Sequence, residues 1–427
     1  MNLRRRIKAV KYFIGQRREA LRFDKVRDPR RRRGRRCTAQ TLLSTAAVTL
    51  MMQARSLRAA ERLSEDLADG GRLKGLVRRV PDSTLGDFLA QVSPAPLRRH
   101  VRAHILAEHR RKALEPTVLP IRAIAVDGKN VATLDHEANA DCQKQSPAGR
   151  APHWLYRVVN ATLISSAAAV CIDQRPIPAA THDLGVFPAF LDGLIGAYGR
   201  ANLFDLISTD SGFCSEANAR LIDDAHKAYW ISLKDNQPDL KREAERVLLA
   251  QAERSEPEAQ TDWESDSSRG WIGRQTWRTN ELAAWGKWTQ LRQVVLLRVL
   301  ARDGRDGPER VLENRYYVTN LVRGRLDGAE LLRLARAHWR IENDLHGALD
   351  IQWQEDHGRW VHRGNGLPVS ALLRVLAYNL LSLLRAAHLR TAAARRTAWT
   401  QLRDWVRDAL LWPELARADE EPLLFTP

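Results

Sequence analysis

The sequence predicts an α/β fold: a mixed sheet flanked by helices, interrupted by a β-rich insertion and preceded by a helical N-terminal domain. Three observations indicate this arrangement. Residues 37–118 alternate helical segments with tight polar turns. From Ile121 onward, short apolar runs rich in β-branched residues are followed by helix–strand–helix segments, and residues 251–325 contain strand-like runs separated by turn residues. At 427 residues, the chain can hold two or three domains with cores of their own.

The N-terminal segment, residues 1–36, is a strongly basic arm. It carries sixteen Lys or Arg residues against three acids, a local charge of +13, whereas the charge of the whole chain is +17. Such a segment releases counterions from a phosphate backbone, and too few aromatic residues accompany it to favour a membrane surface. We therefore expect the arm to be flexible and to bind DNA, with Arg31, Arg32 and Arg33 among its contacts.

Residues 37–118 predict a helical N-terminal domain in which short helices are joined by tight turns, with Ser83 as a helix cap. This pattern is compatible with a helix-turn-helix unit that binds DNA ends. It is equally compatible with a plain helical packing domain, and the sequence leaves both interpretations open. The predicted helices are Gln40–Ala54, Ser56–Leu67, Thr84–Val92 and Ala95–Leu114.

The core of the predicted α/β fold comprises residues 119–250 and 326–390, which the β-rich insertion, residues 251–325, divides. One long helix, Ala329–Ile351, follows the insertion, and residues 391–427 form a C-terminal helix and tail. The strand-like runs of the core are Ile121–Val126, Trp154–Ile164, Ala167–Asp173, Leu203–Ser208 and Tyr229–Leu233.

Three carboxylates are candidates for a shared site. Asp127 and Asp210 each follow an apolar run directly, and functional groups gather at the carboxyl ends of neighbouring strands. Two such carboxylates can hold hard divalent cations, and Glu342 is the best third ligand because it shares a helix face with His338 and His346. Taken singly, each acid has an ordinary interpretation, as a turn former, a helix cap or a solvated charge.

Other features exclude some classes of protein. Cys37, Cys142, Cys171 and Cys214 are scattered without CxxC spacing, which predicts reduced structural thiols in a cytoplasmic compartment and no zinc site. No apolar run of about eighteen residues and no secretory signal stands out, so we expect no membrane span.

Several short motifs occur in an order that resembles bacterial insertion-sequence transposases of the DDE class. The resemblance runs from about Asp28 to Leu384, and it is closest to the group whose third acid lies in an Arg-Trp-x-Ile-Glu context after a β-rich insertion. The motifs are Val126-Asp127-Gly128-Lys129, Ile207-Ser208-Thr209-Asp210, Leu233-Lys234-Asp235-Asn236-Gln237, His338-Trp339-Arg340-Ile341-Glu342-Asn343 and Glu355-Asp356.

This resemblance implies an RNase H-like core in which Asp127, Asp210 and Glu342 bind two Mg²⁺ ions, with Mn²⁺ as a substitute. The enzyme would hydrolyse the phosphodiester at the element's end, and the freed 3′-hydroxyl would attack target DNA. The implied partner is double-stranded DNA, at the element ends and the target, bound by a homo-oligomer. A small-molecule substrate is not expected, and the implied location is the cytoplasm, in association with the nucleoid.

The resemblance also places DNA contacts by position. One aromatic residue of the insertion, for which Trp271 is the first choice, would stack on a base pulled out of the duplex. The other residues expected near the cleaved strand are Lys129, Lys234, Asn236, Gln237, His338 and Arg340.

The sequence departs from the family's Tyr-x-x-Arg-x-x-x-Glu signature, because Ala335 and His338 stand at its Tyr and Arg places. Leu349 replaces the Lys seven residues after the third acid, and Asp235 replaces a Gly. Two other functions therefore stay open: a DNA-binding relic or repressor whose catalysis has decayed, and a metal-dependent nuclease that cleaves DNA without joining it.

Overall fold

The computed structural model describes residues 3–33, 35–70, 77–304, 307–357, 360–389 and 395–411. Its α-helices are α1 (Leu3–Gln16), α2 (Ala39–Met51), α3 (Leu57–Gly70), α4 (Asp82–Leu89), α5 (Pro94–Arg110), α6 (Asp183–Tyr198), α7 (Glu216–Asp224), α8 (Pro238–Arg254), α9 (Gly328–His338), α10 (Gly347–Trp353), α11 (Gly366–Leu383) and α12 (Trp399–Leu411). Its strands are β1 (Ala123–Leu134), β2 (Cys142–Gln145), β3 (His153–Leu163), β4 (Cys171–Pro176), β5 (Leu206–Thr209), β6 (Ala228–Leu233), β7 (Ala259–Gln260), β8 (Glu264–Asp266), β9 (Gly270–Thr279), β10 (Gln293–Arg302) and β11 (Glu309–Thr319).

The five core strands form a mixed sheet in the order β4-β3-β1-β5-β6. β3 is antiparallel to both β1 and β4, whereas β1, β5 and β6 run parallel to one another. Helices α6 and α7 provide the crossovers between the parallel strands, as parallel pairing requires. This order and these directions confirm the RNase H-like mixed sheet that the motifs implied.

Each strand-like run of the core coincides with a strand, but β1, β4 and β5 begin later than expected. β4 begins at Cys171 rather than Ala167, because Ser166 Oγ donates to the carbonyl oxygen of Ala168 (2.6 Å) and closes a turn there. β5 begins at Leu206, and the backbone N–H groups of Asp205 and Leu206 both donate to the carbonyl oxygen of Arg122 before β1.

The β-rich insertion extends the core sheet. β11 pairs with β6 in antiparallel register, from Tyr316 opposite Leu233 to Thr319 opposite Trp230. β10 then pairs with β11, and β9 with β10, so one continuous sheet of eleven strands results. Trp288 lies in a turn bridged to Trp285, and its indole N–H donates to Tyr229 Oη (3.0 Å).

The predicted N-terminal helices are present, and they pack into the same core as the sheet. Every residue of α2 except Gln40 is buried, and α2 packs against α11. This burial supports the packing interpretation for α2, since a helix enclosed on all sides has no free face for DNA. Ser83 is not a helix cap: α4 begins one residue earlier, with Pro81 in the capping position.

The basic arm differs from the flexible segment that its charge suggested. Residues Leu3–Gln16 form α1, which buries Ile7, Val10 and Phe13 against α12. Arg17 then reaches α5, where its guanidinium lies 2.8 Å from the buried carboxylate of Glu108. The exposed basic stretch begins later, and Arg31, Arg32 and Arg33 are all exposed. The arm therefore combines a structural helix with a short cationic surface.

Two other expectations concern the C-terminal part. α12 lies where a helix was predicted, and the predicted tail, residues 412–427, is outside the described residues. Within the described part of the chain, one helical segment, Gly366–His388, is long and apolar enough to span a bilayer by length and composition. That segment is buried inside the protein along its whole apolar window, where it packs against α2 and α5.

Candidate active site

Asp127 and Asp210 come from neighbouring strands of the core sheet. Asp127 does not end its strand, as the sequence suggested, but lies within β1, which continues to Leu134. It follows Val126, the last residue of β1 paired in parallel with β5, and Val126 pairs with Thr209. Asp127 and Asp210 are thus the next residues in register, and side chains in register on parallel strands face the same side.

Local hydrogen bonds hold both aspartates. Asp127 Oδ1 accepts from the backbone N–H of Gly128 (2.8 Å), and Asp210 Oδ1 accepts from that of Gly212 (3.1 Å) at the start of a short helical turn. A Cβ atom at Gly128 would lie 2.3 Å from Asp183 Oδ1, so a larger residue there would displace the Asp183 side chain.

Glu342 lies in a π-helical segment, Ile341–His346, that separates α9 from α10. The sequence predicted one uninterrupted helix here, and π-helical turns are rare and frequently occur at functional sites. His338 and Arg340 anchor the segment to the sheet. His338 Nδ1 lies 2.8 Å from Ser208 Oγ, and the Arg340 guanidinium donates to the carbonyl oxygens of Ile164, Ser166 and Ala167.

The three acids share one electrostatic environment. Burial, followed by the charges of Asp210 and Glu342, raises the pKa of Asp127 to about 8. Burial also raises the pKa of Asp210 and of Glu342, and the Asp210 charge adds to the effect on Glu342. The charge of Lys234 opposes the rise in pKa at both of these acids.

The donor chemistry fits a divalent cation. Carboxylate oxygens are the ligands that Mg²⁺ and Mn²⁺ prefer, and three neighbouring carboxylates resist ionisation together without a counterion. Among the residues that the structure describes, however, no three acid, His or Cys side chains stand close enough together to hold a metal ion. For Asp127, Asp210 and Glu342 to hold one ion, their side chains would have to move closer together.

Lys129, expected near the cleaved strand, lies on the same face two residues after Asp127, but its side chain is buried. Its Nζ is 2.5 Å from Asp350 Oδ1 and 3.5 Å from Glu355 Oε2. The other oxygen of Glu355 lies 3.5 Å from Nη1 of the buried Arg374. Lys129 is thus part of a buried ionic cluster, and a contact with DNA would need its pair with Asp350 to open.

This cluster predicts a large effect on stability. We expect Glu355→Gln to lower the free energy of unfolding by roughly 3–5 kcal/mol, because Lys129 and Arg374 would lose a buried counter-charge. Chemical denaturation measures the effect, and Asp356→Asn, which removes an exposed acid next in sequence, is the control. Equal unfolding midpoints for the two variants would contradict this reading of the cluster.

Asn236 and Gln237 hold the loop that follows Asp210. Asn236 Nδ2 donates to the carbonyl oxygens of Ser211 (2.8 Å) and Cys214 (3.0 Å), and Gln237 Nε2 donates to that of Cys214 (3.4 Å). The structure brings these amides and Lys234 to the site. Lys234 is exposed and remains available for a phosphate, whereas the amides are engaged with the protein backbone.

His338 and Arg340 do not present their side chains to DNA in this arrangement. His338 is buried, and burial lowers its pKa to about 4, so the imidazole is neutral and bonded to Ser208. The Arg340 guanidinium is directed at three carbonyl oxygens and at Asp344 Oδ2 (2.9 Å). Both residues position the helix that carries Glu342.

Trp271 lies in β9 on the side of the sheet away from Glu342. The register between β9 and β10 is unbroken, so Trp271 and Arg274 point to opposite faces. Arg274 faces α9, while Trp271 shares its face with Trp277, whose indole N–H donates to the carbonyl oxygen of Ser255 after α8. The structure does not bring Trp271 together with the acids.

A basic cavity of about 410 Å³ lies beside Glu342, on the face that Arg274 shares. Three nearby acids, Glu264, Asp266 and Glu313, pair with its four arginines. These arginines come from a turn, two strands and a helix and follow no common spacing, so no local sequence pattern marks them. Trp339 lies within the Glu342 motif. The polar and aromatic residues lining the cavity are Arg269, Arg274, Arg315, Arg336, Tyr317, Trp339 and Asn343.

Comparison with known proteins agrees with this geometry. The Transposase DDE domain family matches residues 119–380, more than half of the chain, from just before β1 into α11. The chain belongs to this family. Asp127, Asp210 and Glu342 all fall within the part that matches.

Two curated relatives come from Escherichia coli. The "Putative transposase YncI" of strain O157:H7 is 30% identical over 95 residues, which cover 22% of this chain and 23% of that protein. YbfL of strain K12 is 24% identical over 270 residues, covering 61% of this chain and 64% of that protein. The chain thus spans less than two thirds of the length of either relative.

A solved piggyBac transposase synaptic complex with hairpin DNA aligns with 98% of this chain and 80% of its own. Its TM-score is 0.42 and the sequence identity is 11%, a likeness too distant to bear on the function.

Proposed function

We propose that the protein is a DNA transposase that cleaves phosphodiester bonds at insertion-sequence ends and joins the 3′-hydroxyl to target DNA. The observation that carries this proposal is the convergence of Asp127, Asp210 and Glu342 on one face of an RNase H-like sheet, where burial, followed by the charges of the other two acids, raises the pKa of Asp127 to about 8. Membership of the Transposase DDE domain family supports it. We propose that the three carboxylates hold two Mg²⁺ ions, with Mn²⁺ as a substitute.

When bound, the paired ions would activate the attacking oxygen and stabilise the leaving one. The residues of the chain have separate tasks. Asp127, Asp210 and Glu342 would hold the ions, Asn236 and Gln237 keep the Asp210 loop in place, and Lys234 would bind a phosphate beside the acids.

Double-stranded DNA is the proposed partner. The exposed residues Arg31, Arg32 and Arg33 offer a surface for its backbone, and the arginine-lined cavity beside Glu342 would accept part of the strand near the cleaved bond. We further propose that the protein acts as a homo-oligomer on DNA in the cytoplasm, in association with the nucleoid, and without a small-molecule substrate.

The direct test uses purified protein, Mg²⁺ and a duplex that carries one end of the element with its flanking DNA, together with a supercoiled target plasmid. A transposase should release a 3′-hydroxyl at the element boundary and join it to the plasmid. Cleavage without joined product would support the nuclease alternative. Binding without cleavage, in Mg²⁺ and in Mn²⁺, would support the decayed relic.

The cationic surface gives a second test. We expect Arg31→Ala, Arg32→Ala and Arg33→Ala, combined, to weaken DNA binding and to reduce the slope of log affinity against log salt concentration by about 2–3, since each lost phosphate contact removes about 0.9 from the slope. Substitution is preferable to deletion of residues 1–36, because α1 belongs to the core.

The control for this charge removal is a matched triple substitution on α8. Arg242, Arg246 and Arg254 are exposed, and α8 packs on the face of the sheet away from Glu342. If both triple variants change the salt slope equally, the effect is one of net charge and the arm has no special role.

A further inference from the structure

A buried row of polar side chains crosses the sheet and ends at Asp127. Asn160 on β3 is the register partner of Asp127 on β1, and Gln174 on β4 is the register partner of Asn160. Side chains of directly opposed residues lie on the same face, so the three form one line. Asn160 and Gln174 are almost completely buried, which makes unpaired amide groups costly there.

His346, at the end of the π-helical segment, lies over this row. Its Nε2 is 3.0 Å from Asn160 Nδ2, and its Nδ1 is 3.6 Å from Asp127 Oδ2. The imidazole is buried, and its Nε2 faces the amide nitrogen of Asn160. One imidazole therefore spans the two register partners.

The row determines which ring nitrogen of His346 carries the proton. Asn160 Oδ1 accepts from Gln174 Nε2 (3.0 Å) and faces the Cys171 thiol (3.9 Å), so the amide nitrogen of Asn160 is the group directed at His346. An amide nitrogen only donates, and Nε2 must then accept. In a neutral imidazole the proton consequently resides on Nδ1, the nitrogen that faces Asp127.

We infer that His346, fixed in its Nδ1–H tautomer by Asn160 and Gln174, is a positioning residue that directs an N–H group at Asp127 Oδ2 and holds that carboxylate for metal binding. The inference rests on the proposed function, because it assigns the support of one proposed metal ligand. Partners behind a ligand typically contribute 10–100-fold to metal affinity or activity.

His346 is not itself free to bind a metal ion in this arrangement. Its Nε2 lone pair is directed at Asn160, and its Nδ1 carries the proton. The other interpretation is that His346 only fills space in the core. It predicts no preference for either tautomer, and substitution of His346 would then lower stability without lowering metal affinity.

The first experiment reads the tautomer in the metal-free full chain. Labelling with ¹⁵N-histidine gives signals from all twelve histidines, and the loss of one set in His346→Gln assigns those of His346. We expect a protonated Nδ1 and an unprotonated Nε2. In Asn160→Asp, whose carboxylate can only accept, the proton should move to Nε2. A wild-type His346 protonated at Nε2 would overturn the inference whatever the protein's activity.

The second experiment measures Mn²⁺ affinity by calorimetry. His346→Leu should bind Mn²⁺ 10–100-fold more weakly than wild type. His346→Asn, whose side-chain amide can place an N–H near the position of Nδ1, should recover much of the loss. The control is His104→Leu, since His104 is also buried and neutral but lies in α5, away from the acids.

The outcomes separate the two proposals. A wild-type protein that binds no Mn²⁺ contradicts the proposed function. The tautomer measurement then still tests the inference about His346 independently. A wild-type protein that binds Mn²⁺, with His346→Leu binding it equally well, contradicts only the role of His346. If His346→Leu fails to fold, the tautomer measurement still decides the inference.

Discussion

Asp127→Ala, Asp210→Ala and Glu342→Ala should each reduce strand cleavage by at least about 10²–10³-fold, the loss that follows removal of one electrostatic stabiliser of a transition state. The fold should survive, because each substitution removes a carboxylate whose ionisation burial and its neighbours oppose. The measurement is the initial rate of cleavage of an element-end duplex in Mg²⁺, with DNA affinity determined in parallel.

A matched acid provides the control. Asp205 precedes β5, the strand that Asp210 follows, and it thus lies at the opposite end of the same element. Asp205→Ala should cut at the wild-type rate. If any of the three carboxylate variants also cuts at that rate, the acid concerned is not part of the catalytic set.

The second large effect is on stability in the absence of metal. The pKa of Asp127 is raised from 3.8 to about 8 in the folded chain, so between these values the folded state holds a proton that the unfolded state has released. Stability therefore falls as pH rises through this window, and the loss is complete above about pH 8. At about 1.4 kcal/mol per pKa unit, the loss is on the order of a few kcal/mol.

Divalent metal should reverse this loss. Because a bound cation favours ionised carboxylates, Mg²⁺ should raise the midpoint of thermal unfolding strongly at pH 8 and little at pH 5. Asp127→Asn should flatten the pH profile of the metal-free protein and remove most of the response to Mg²⁺. Asp205→Asn should leave both unchanged. An equal stabilisation by Mg²⁺ at the two pH values would contradict the link between metal and the Asp127 proton.

The sequence signals that mark Asp127, Asp210 and Glu342 are local. An apolar run followed by Asp marks the point where β1 and β5 part, and the motif around Glu342 marks the helix that lies over them. The basic arm also contains a local pattern that predicts α1. Ile7, Val10 and Ile14 recur at helical spacing, and the high charge of the segment obscured this amphipathic pattern.

Other features depend on pairings between distant residues. His346 meets Asn160 across 186 residues of sequence, and Lys129 meets Asp350 across 221. No local pattern predicts that a lysine beside the acids is buried rather than presented to DNA. The side of the sheet on which Trp271 lies depends likewise on the register between β9 and β10, which sequence alone does not determine.

The pairing of β11 with β6 has a consequence for variants in which the β-rich insertion is removed or replaced. β6 would be the outer strand of the RNase H-like sheet if residues 251–325 were removed, and the backbone groups that now face β11 would be open to another chain. An uncovered strand of this kind is a template for intermolecular pairing and aggregation. The insertion thus covers the edge of the core sheet, and versions of the protein that lack it need a replacement strand at β6 to avoid aggregation.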